Sequence, residues 1–471
     1  MKQDAYLFWL NRLENHAQYR QVPHGADQGR LAPLAALLQA LENPHQALRV
    51  VHLAGTNGKT TTAHLIARLL ARETGGERVG LYTSPHLVDI RERIQIQGRM
   101  ISRRDFVAAS RAVWGAAEEL GLLGGESSSP RLSWFDLVTA MGLWHFRRRG
   151  AAWAVLETGL GGLADATNLA PKTLCVLTPM GLDHAAVLGN TLGAIAWQKA
   201  GILAPGVPVV LGPQPPEAQQ VVQDRAAALG CPIIPWDRVS LEKTVPQPAN
   251  PQPVHRQSQR LNITARWPGG ATASRWIESE GWNEPFRLAA ATALSAAEEL
   301  LAPPRKPQSR LAAVLGGALP GRQTFLPHLR LANGHTLPWL MVDGGHNPPA
   351  LEALARRLEH RRGYTLVWGM LTDKLIPETE PPLARLMAGA RRVLAVPPPG
   401  PRSPAPGVLG EITRRLAPAN QPDPLPQEFP RLEEALAQAL AAGDPVVVAG
   451  SLWLAGEAWA WLQSNQRQKP G

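Results

Sequence analysis

The stretch VVHLAGTNGKTTTAHLIARLL, residues 50–70, constrains the fold more than any other part of the chain. An apolar, β-branched run enters Gly55-Thr56-Asn57-Gly58-Lys59-Thr60-Thr61, and a helical pattern opens at once. Strand, glycine loop and helix in direct succession form the βα unit of a parallel sheet. Glycines let the loop aim backbone N–H groups inward around a phosphate chain, and the helix N-terminus adds positive potential there. Lys59 reaches toward the terminal phosphates, and the hydroxyl of Thr60 or Thr61 suits Mg²⁺ or a phosphate oxygen. The spacing departs from G-x-x-x-x-G-K-[ST], whose first glycine would fall at Leu53. An ordinary glycine-rich βα turn is the alternative; the strand–loop–helix context favours phosphate binding.

The same alternation runs along the chain. Strands are predicted at residues 49–54, 78–83, 151–157, 173–178 and 207–211, and helices at 31–41, 60–72, 105–120, 134–149 and 216–229. Residues 237–280 turn to Pro/Gln-rich text with short alternating pieces, read as a small β excursion or a long loop. After a helix at 285–301, Pro303-Pro304-Arg305-Lys306-Pro307 reads as a linker. A second unit has strands at 339–342, 364–368, 391–396 and 445–449, with surface loops at 397–407 and 417–430. The predicted class is α/β: a P-loop-type parallel-sheet ATPase domain over 1–302, then a smaller Rossmann-like α/β domain over 308–471.

Composition narrows the function. A chain of 471 residues with 44% hydrophobic and 18% charged residues reads as globular. Two cysteines, Cys175 and Cys231, supply neither a disulfide framework nor a cysteine-rich metal site. No apolar run is long enough for a membrane span, and the charged start MKQDAYLFWLNRLENH lacks a secretory h-region, so a cytoplasmic protein is expected. The net charge of +10 admits nucleic acid as a partner. The arginines are spread along the chain, however, and Arg147-Arg148-Arg149 closes a helix, where cations offset the dipole. No nucleic-acid partner is expected. Of the 48 basic residues only eight are lysines, so Lys59, Lys199 and Lys374, each inside a motif, suggest chemistry that guanidinium cannot perform.

Further motifs follow the glycine loop. Ser84-Pro85-His86-Leu87 precedes DIRERIQIQG, and Glu157 ends a strand in ETGLGGLADATN. His184 lies in GLDHAAVLG and Lys199 in Gln198-Lys199-Ala200-Gly201. Leu319-Pro320-Gly321-Arg322, Asp343 with His346-Asn347-Pro348, and Gly369-Met370-Leu371-Thr372-Asp373-Lys374 mark the second half. In this order, from near residue 29 to about residue 457, the chain resembles the folylpolyglutamate synthase and dihydrofolate synthase family of the Mur-ligase superfamily.

The resemblance implies an ATP-dependent amide ligase acting on ATP, L-glutamate and dihydropteroate or a reduced folate, with Mg²⁺, and working as a monomer. It implies nucleotide binding by Gly55 through Thr61, Arg322 and Asp343, and metal binding by Thr60, Ser84, Glu157, His184 and a carbamylated Lys199. Catalytic roles fall to Lys59, Lys199, Arg322 and His346. Phe135, Asp165 and Ala166 would lie at the pterin, although core packing is a full alternative for Trp134-Phe135-Asp136. Closure of the second domain would bring Arg322, Asp343 and His346 to the nucleotide.

The chain departs from the family at Leu163, where arginine is usual, at Gln198, where glutamate is usual, and in 286–290, which lacks H-Q-x-x-N; Asn283 is a possible substitute. Three other readings stand beside this one. Gly58-Lys59-Thr60-Thr61 is closer to the Mur-type peptidoglycan ligases. A nucleic-acid-binding P-loop NTPase would show steep salt-sensitive retention on polynucleotide. A divergent, inactive relative would fit the three departures.

Overall fold

The computed structural model describes residues 4–16, 29–124, 131–244, 260–278, 282–301, 303–304, 306–316, 319–332, 334–418 and 427–465. The chain divides into two compact units, Met1–Ile277 with Pro285–Gly316, and Glu278–Glu284 with Gly317–Gly471.

Among the described residues the first unit is built on eight strands: β1 (Arg49–Ala54), β2 (Arg78–Tyr82), β3 (Ile94–Ile96), β4 (Arg99–Met100), β5 (Ala151–Glu157), β6 (Leu174–Leu177), β7 (Val209–Leu211) and β8 (Ile233–Pro235). Their order is β4-β3-β2-β5-β1-β6-β7-β8. From β2 to β8 every pairing is parallel, and β3 and β4 add an antiparallel edge. β1 lies at the centre, buried from Val50 to Ala54, which is why it reads as an unbroken apolar run. Open sheets of this kind bind ligands outside the carboxyl ends of their strands, and the glycine loop leaves β1 at that edge.

The 237–280 segment contains strands β9 (Ser240–Thr244), β10 (Arg260–Arg266) and β11 (Thr272–Glu278), in the order β11-β10-β9 with β9 and β10 antiparallel. Its Pro/Gln-rich residues 245–259 lie outside the described residues, as do 419–426 of the expected loop at 417–430.

The second unit holds strands β12 (Thr324–Arg330), β13 (Thr336–Val342), β14 (Tyr364–Trp368), β15 (Ala390–Ala395), β16 (Gln427–Glu428) and β17 (Val446–Ala449). They run β12-β13-β17-β14-β15-β16, parallel except for β12.

One boundary needs correction. Residues 308–316, assigned from sequence to the second domain, belong to the first unit, where they form most of the helix Pro307–Leu315. Arg310 is the reason. Its guanidinium is 1% exposed and takes Glu73 through Nε at 2.8 Å and Nη2 at 2.5 Å, with Glu298 on Nη1 at 3.1 Å. An arginine buried against two carboxylates ties this helix to the helices Lys59–Glu73 and Glu284–Leu300. Among the described residues no helix is long and apolar enough to cross a membrane.

Candidate active site

The glycine loop takes its shape from two residues. Gly55 has φ 149°, and a Cβ there would lie 2.0 Å from Thr178 Oγ1, so only glycine fits between β1 and the end of β6. Gly58, at φ 85°, caps the helix Lys59–Glu73 in the left-handed region. The amides of the first helical turn have no partners within the helix, and they emerge here at its positive end.

The cradle is narrower than the sequence suggests. Thr56 and Asn57, expected to turn their amides to phosphate, both donate to Pro179 O, at 3.0 and 3.1 Å. Thr56 Oγ1 also donates to Gly181 O and accepts from Gly181 N, each at 3.1 Å. These residues brace the loop against the segment after β6.

Parallel pairing sets Leu53 of β1 beside Glu157 of β5 and so brings a carboxylate to the same edge. Thr60 Oγ1 donates to Glu157 Oε1 at 2.9 Å, and Ser84 N donates to Oε2 at 3.2 Å. Glu157 is 1% exposed. Three residues named from separate motifs thus meet at one carboxylate. The loop after Ser84 is held by Glu92, which accepts from the amides of Leu87, Val88 and Asp89 at 2.7 to 3.0 Å. Arg93 Nε donates to His86 Nδ1 at 2.9 Å, and burial followed by that guanidinium pushes the His86 pKa down to about 3.

Lys59 and Lys199 converge on one oxygen. Each Nζ donates to Gly55 O at 2.9 Å, and Lys59 also donates to Thr56 O at 3.2 Å. Burial first, then the neighbouring Lys59 ammonium, pushes the Lys199 amine down to about 7, against the opposing pull of Asp183 and Asp165. A large fraction of it is therefore a neutral amine at neutral pH, the form that captures CO₂. The helix Leu192–Ala200 that carries it packs backbone to backbone on the glycine run: Leu163 N donates to Gln198 O at 2.8 Å, and a Cβ at Gly162 would lie 2.8 Å from Lys199 O. His184 caps the short helix Ala185–Leu188 at φ 53°, its Nε2 3.9 Å from Asp183 Oδ1.

Hard oxygen donors around a buried carboxylate suit Mg²⁺, which also draws ligands from substrate phosphates. Among the described residues no cluster of three His, Cys, Asp or Glu side chains forms a metal site, and the oxygen donors at this edge are the Glu157 carboxylate and the Thr60 hydroxyl bonded to it. Those oxygens fit Mg²⁺.

The residues expected at the pterin form a second group. Phe135 stands edge-on to Tyr82 with centroids 6.0 Å apart, and its ring lies against Gly159, where a Cβ would come within 2.6 Å. Its neighbour Asp136 is a helix cap: its carboxylate accepts from Ser133 N, and Ser133 Oγ accepts from Asp136 N. Asp165 spends its carboxylate on the chain itself, accepting from the amides of Gly159, Leu160 and Thr167 and from Thr167 Oγ1. The Ala166 methyl is buried in the core, which leaves its backbone for any ligand.

In the second unit Asp343 follows β13, and its Oδ1 accepts from Gln323 N at 3.1 Å. Burial raises its pKa, opposed by that amide and by the Arg322 guanidinium. His346 Nδ1 lies 2.8 Å from Gly344 O, and Gly344 N donates to Gly321 O at 2.9 Å, which joins the P-G-R and D-G-G-H-N-P segments. Asn347 caps the helix Pro348–Leu358. Gly369 is obligatory, since a Cβ would sit 1.8 Å from Val396 O.

Sequence reasoning overlooked Pro179, whose carbonyl carries no residue-type signal, and His52, which lies unmarked inside an apolar strand.

No protein-family model matches the chain. Folylpolyglutamate synthase of Lacticaseibacillus casei is 32% identical over 456 residues, covering 95% of this chain and 97% of that protein. Dihydrofolate synthase/folylpolyglutamate synthase of Bacillus subtilis is 30% identical over 349 residues, or 73% and 76% of the two chains. The solved structure of E. coli FolC in complex with DHPP and ADP superposes with a TM-score of 0.75 at 26% identity, over 98% of this chain and 99% of that one. With a relative of that similarity aligned along nearly its whole length, the chain belongs to the folylpolyglutamate synthase family.

Proposed function

We propose that the protein joins L-glutamate to the carboxylate of a dihydropteroate or reduced folate at the expense of ATP. The observation that carries this reading is the junction of Thr60, Ser84 and Glu157 at the mouth of the glycine loop, where Lys199 Nζ also bonds Gly55 O. ATP binds with its phosphates on the amides from Gly58 to Thr61, with Lys59 leaving the loop carbonyls for the terminal phosphates. Thr60, Ser84, Glu157, His184 and carbamylated Lys199 hold Mg²⁺, directly or through water. When bound, Mg²⁺ offsets the repulsion between the anionic acceptor and the triphosphate and the charge of the transition state.

The acceptor carboxylate attacks the γ-phosphorus; the bond to ADP breaks and an acyl phosphate forms. The amino group of glutamate then attacks the acyl carbon, loses a proton and expels inorganic phosphate. Phe135, Asp165 and the Ala166 backbone form the acceptor subsite, and the relative solved with DHPP and ADP supports a site for both substrate classes in this fold. Arg322 contacts a phosphate, while Asp343 and His346 order the nucleotide segment of the second unit. The enzyme acts as a cytoplasmic monomer, where its buried thiols Cys175 and Cys231 stay reduced, and takes no nucleic acid.

The test is incubation with MgATP, L-glutamate and either dihydropteroate or tetrahydrofolate, with the product read by mass. A product heavier by one glutamyl residue is expected. ATP turnover uncoupled from ligation with both acceptors would overturn the assignment.

A further inference from the structure

His52 is fully buried in the middle of β1, and nothing in the proposed chemistry uses it. Its Nε2 lies 2.7 Å from Thr167 Oγ1, and Thr167 Oγ1 lies 2.5 Å from Asp165 Oδ1. A hydroxyl has one proton. Given to the Asp165 carboxylate, it leaves the Thr167 oxygen as an acceptor, so His52 must present Nε2–H. His52 Nδ1 has no hydrogen-bond partner among the described residues. That fits a bare nitrogen there, since an orphaned buried N–H is the costlier defect. The relay thus runs His52 Nε2–H to Thr167 O–H to Asp165, with one proton assignment that satisfies every bond. Beyond Asp165 the chain of bonds continues to the amides of Gly159 and Leu160, at 2.9 and 3.0 Å. These residues follow Glu157 after Thr158, and Gly159 lies under the Phe135 ring.

We propose that His52 is a positioning residue for the acceptor subsite: as the Nε2–H tautomer it fixes Thr167 and Asp165, and through them the 159–160 backbone against which the acceptor is seated. The placement of the acceptor rests on the function proposed above; the proton assignment does not. His52 does not touch substrate. It acts by keeping the Asp165 carboxylate turned to the loop, where a freed carboxylate would rotate and release the two amides.

Two measurements on the full-length protein test this. The first is the imidazole ¹⁵N spectrum with labelled histidine, with His52 assigned by its loss in His52→Gln. A neutral ring protonated on Nε2 is expected, and protonation on Nδ1 would overturn the relay.

The second is steady-state kinetics of Thr167→Val and His52→Leu, with Thr167→Ser and His52→Gln as conservative partners that keep the hydroxyl and the N–H. The disruptive pair should raise the acceptor KM on the order of tenfold, the scale of a lost bond to a charged group, with the ATP KM within about twofold of the parent. The conservative pair should restore the acceptor KM. Equal rises for ATP and acceptor, or no rise in either, would reduce His52 to ordinary packing and overturn the proposal. If the disruptive pair does not fold, the conservative pair and the spectrum decide: a raised acceptor KM in His52→Gln despite a retained N–H counts against it. Absence of ligation in the parent enzyme would instead condemn the function, and the spectrum would still report on the relay.

Discussion

Glu157 and Asp343 occupy equivalent places in two different sheets. Each sits at the carboxyl end of a strand in parallel register with its neighbour, and the two are almost equally buried, at 1% and 5% exposed. Their surroundings differ. Glu157 receives a side-chain hydroxyl from the helix of the glycine loop and an amide from the loop after β2, two elements that also carry other site residues. Asp343 receives the backbone amides of Gln323 and Gly345, Gly344 N donates to Gly321 O, and His346 Nδ1 faces Gly344 O, so these bonds run within the P-G-R and D-G-G-H-N-P segments. The fold supplies a carboxylate at either strand end. What crosses over to meet it decides whether that carboxylate serves ligand chemistry or loop architecture.

The largest expected effect lies beside Glu157. Lys59→Ala should lower kcat/KM by roughly 10³-fold or more, since it removes the charge proposed to leave the loop carbonyls for the developing phosphate charge. Ligation assayed at saturating Mg²⁺ checks this, and near-parental activity would break the reading of the first unit. Glu157→Gln should follow at about 10²- to 10³-fold, with a raised Mg²⁺ requirement read by metal titration.

Lys199 sharpens the same side. In the unfolded chain its amine titrates at roughly 10.4, and in the folded chain burial and Lys59 hold it at about 7. Between those values the unfolded state binds more protons, so this residue makes stability rise with pH from about 7 upward. Lys199→Met should flatten that rise in denaturant midpoints measured without bicarbonate. In the parent, bicarbonate-dependent activation should weaken below pH about 7 by roughly tenfold per unit as the neutral amine disappears. A pH-independent response would remove the carbamate from the proposal.

Much of this was legible in the chain. β1 and β5 coincide with the expected 49–54 and 151–157, because fully buried parallel strands write themselves as unbroken apolar runs. β12 was missed for the converse reason: it is an antiparallel edge strand interrupted by Pro327, with His328 at φ 49°. Motifs named the residues that meet at Glu157, because each carries a residue type its role requires. They did not reveal that Thr56 and Asn57 brace the loop through Pro179 O, since a backbone acceptor leaves no trace in residue identity. Lys199 and Gly55 lie far apart in the chain, and only the sheet brings them together.

In the second unit the effects should be smaller. Arg322→Ala is expected to raise the ATP KM about tenfold with little change in melting temperature, the cost of one lost charge-assisted contact to phosphate. An unchanged ATP KM would take Arg322 out of the nucleotide site.

Asp343→Asn is the mildest and the most discriminating. An asparagine keeps the Oδ1 acceptor for Gln323 N, so the loop bond survives. Burial already disfavours the Asp343 charge, so replacing the acid by a neutral amide also removes a desolvation cost. The balance should leave stability within about 1 kcal/mol of the parent and kcat/KM down only severalfold, on the scale of one net hydrogen bond. Glu157→Gln should lose more, because there the anionic charge is the one proposed to meet the metal. The ratio of the two losses therefore measures the contrast directly. Equal losses from the two amide substitutions would mean that both strand ends serve the chemistry alike, and a loss at Asp343 exceeding that at Glu157 would invert the assignment of the two units.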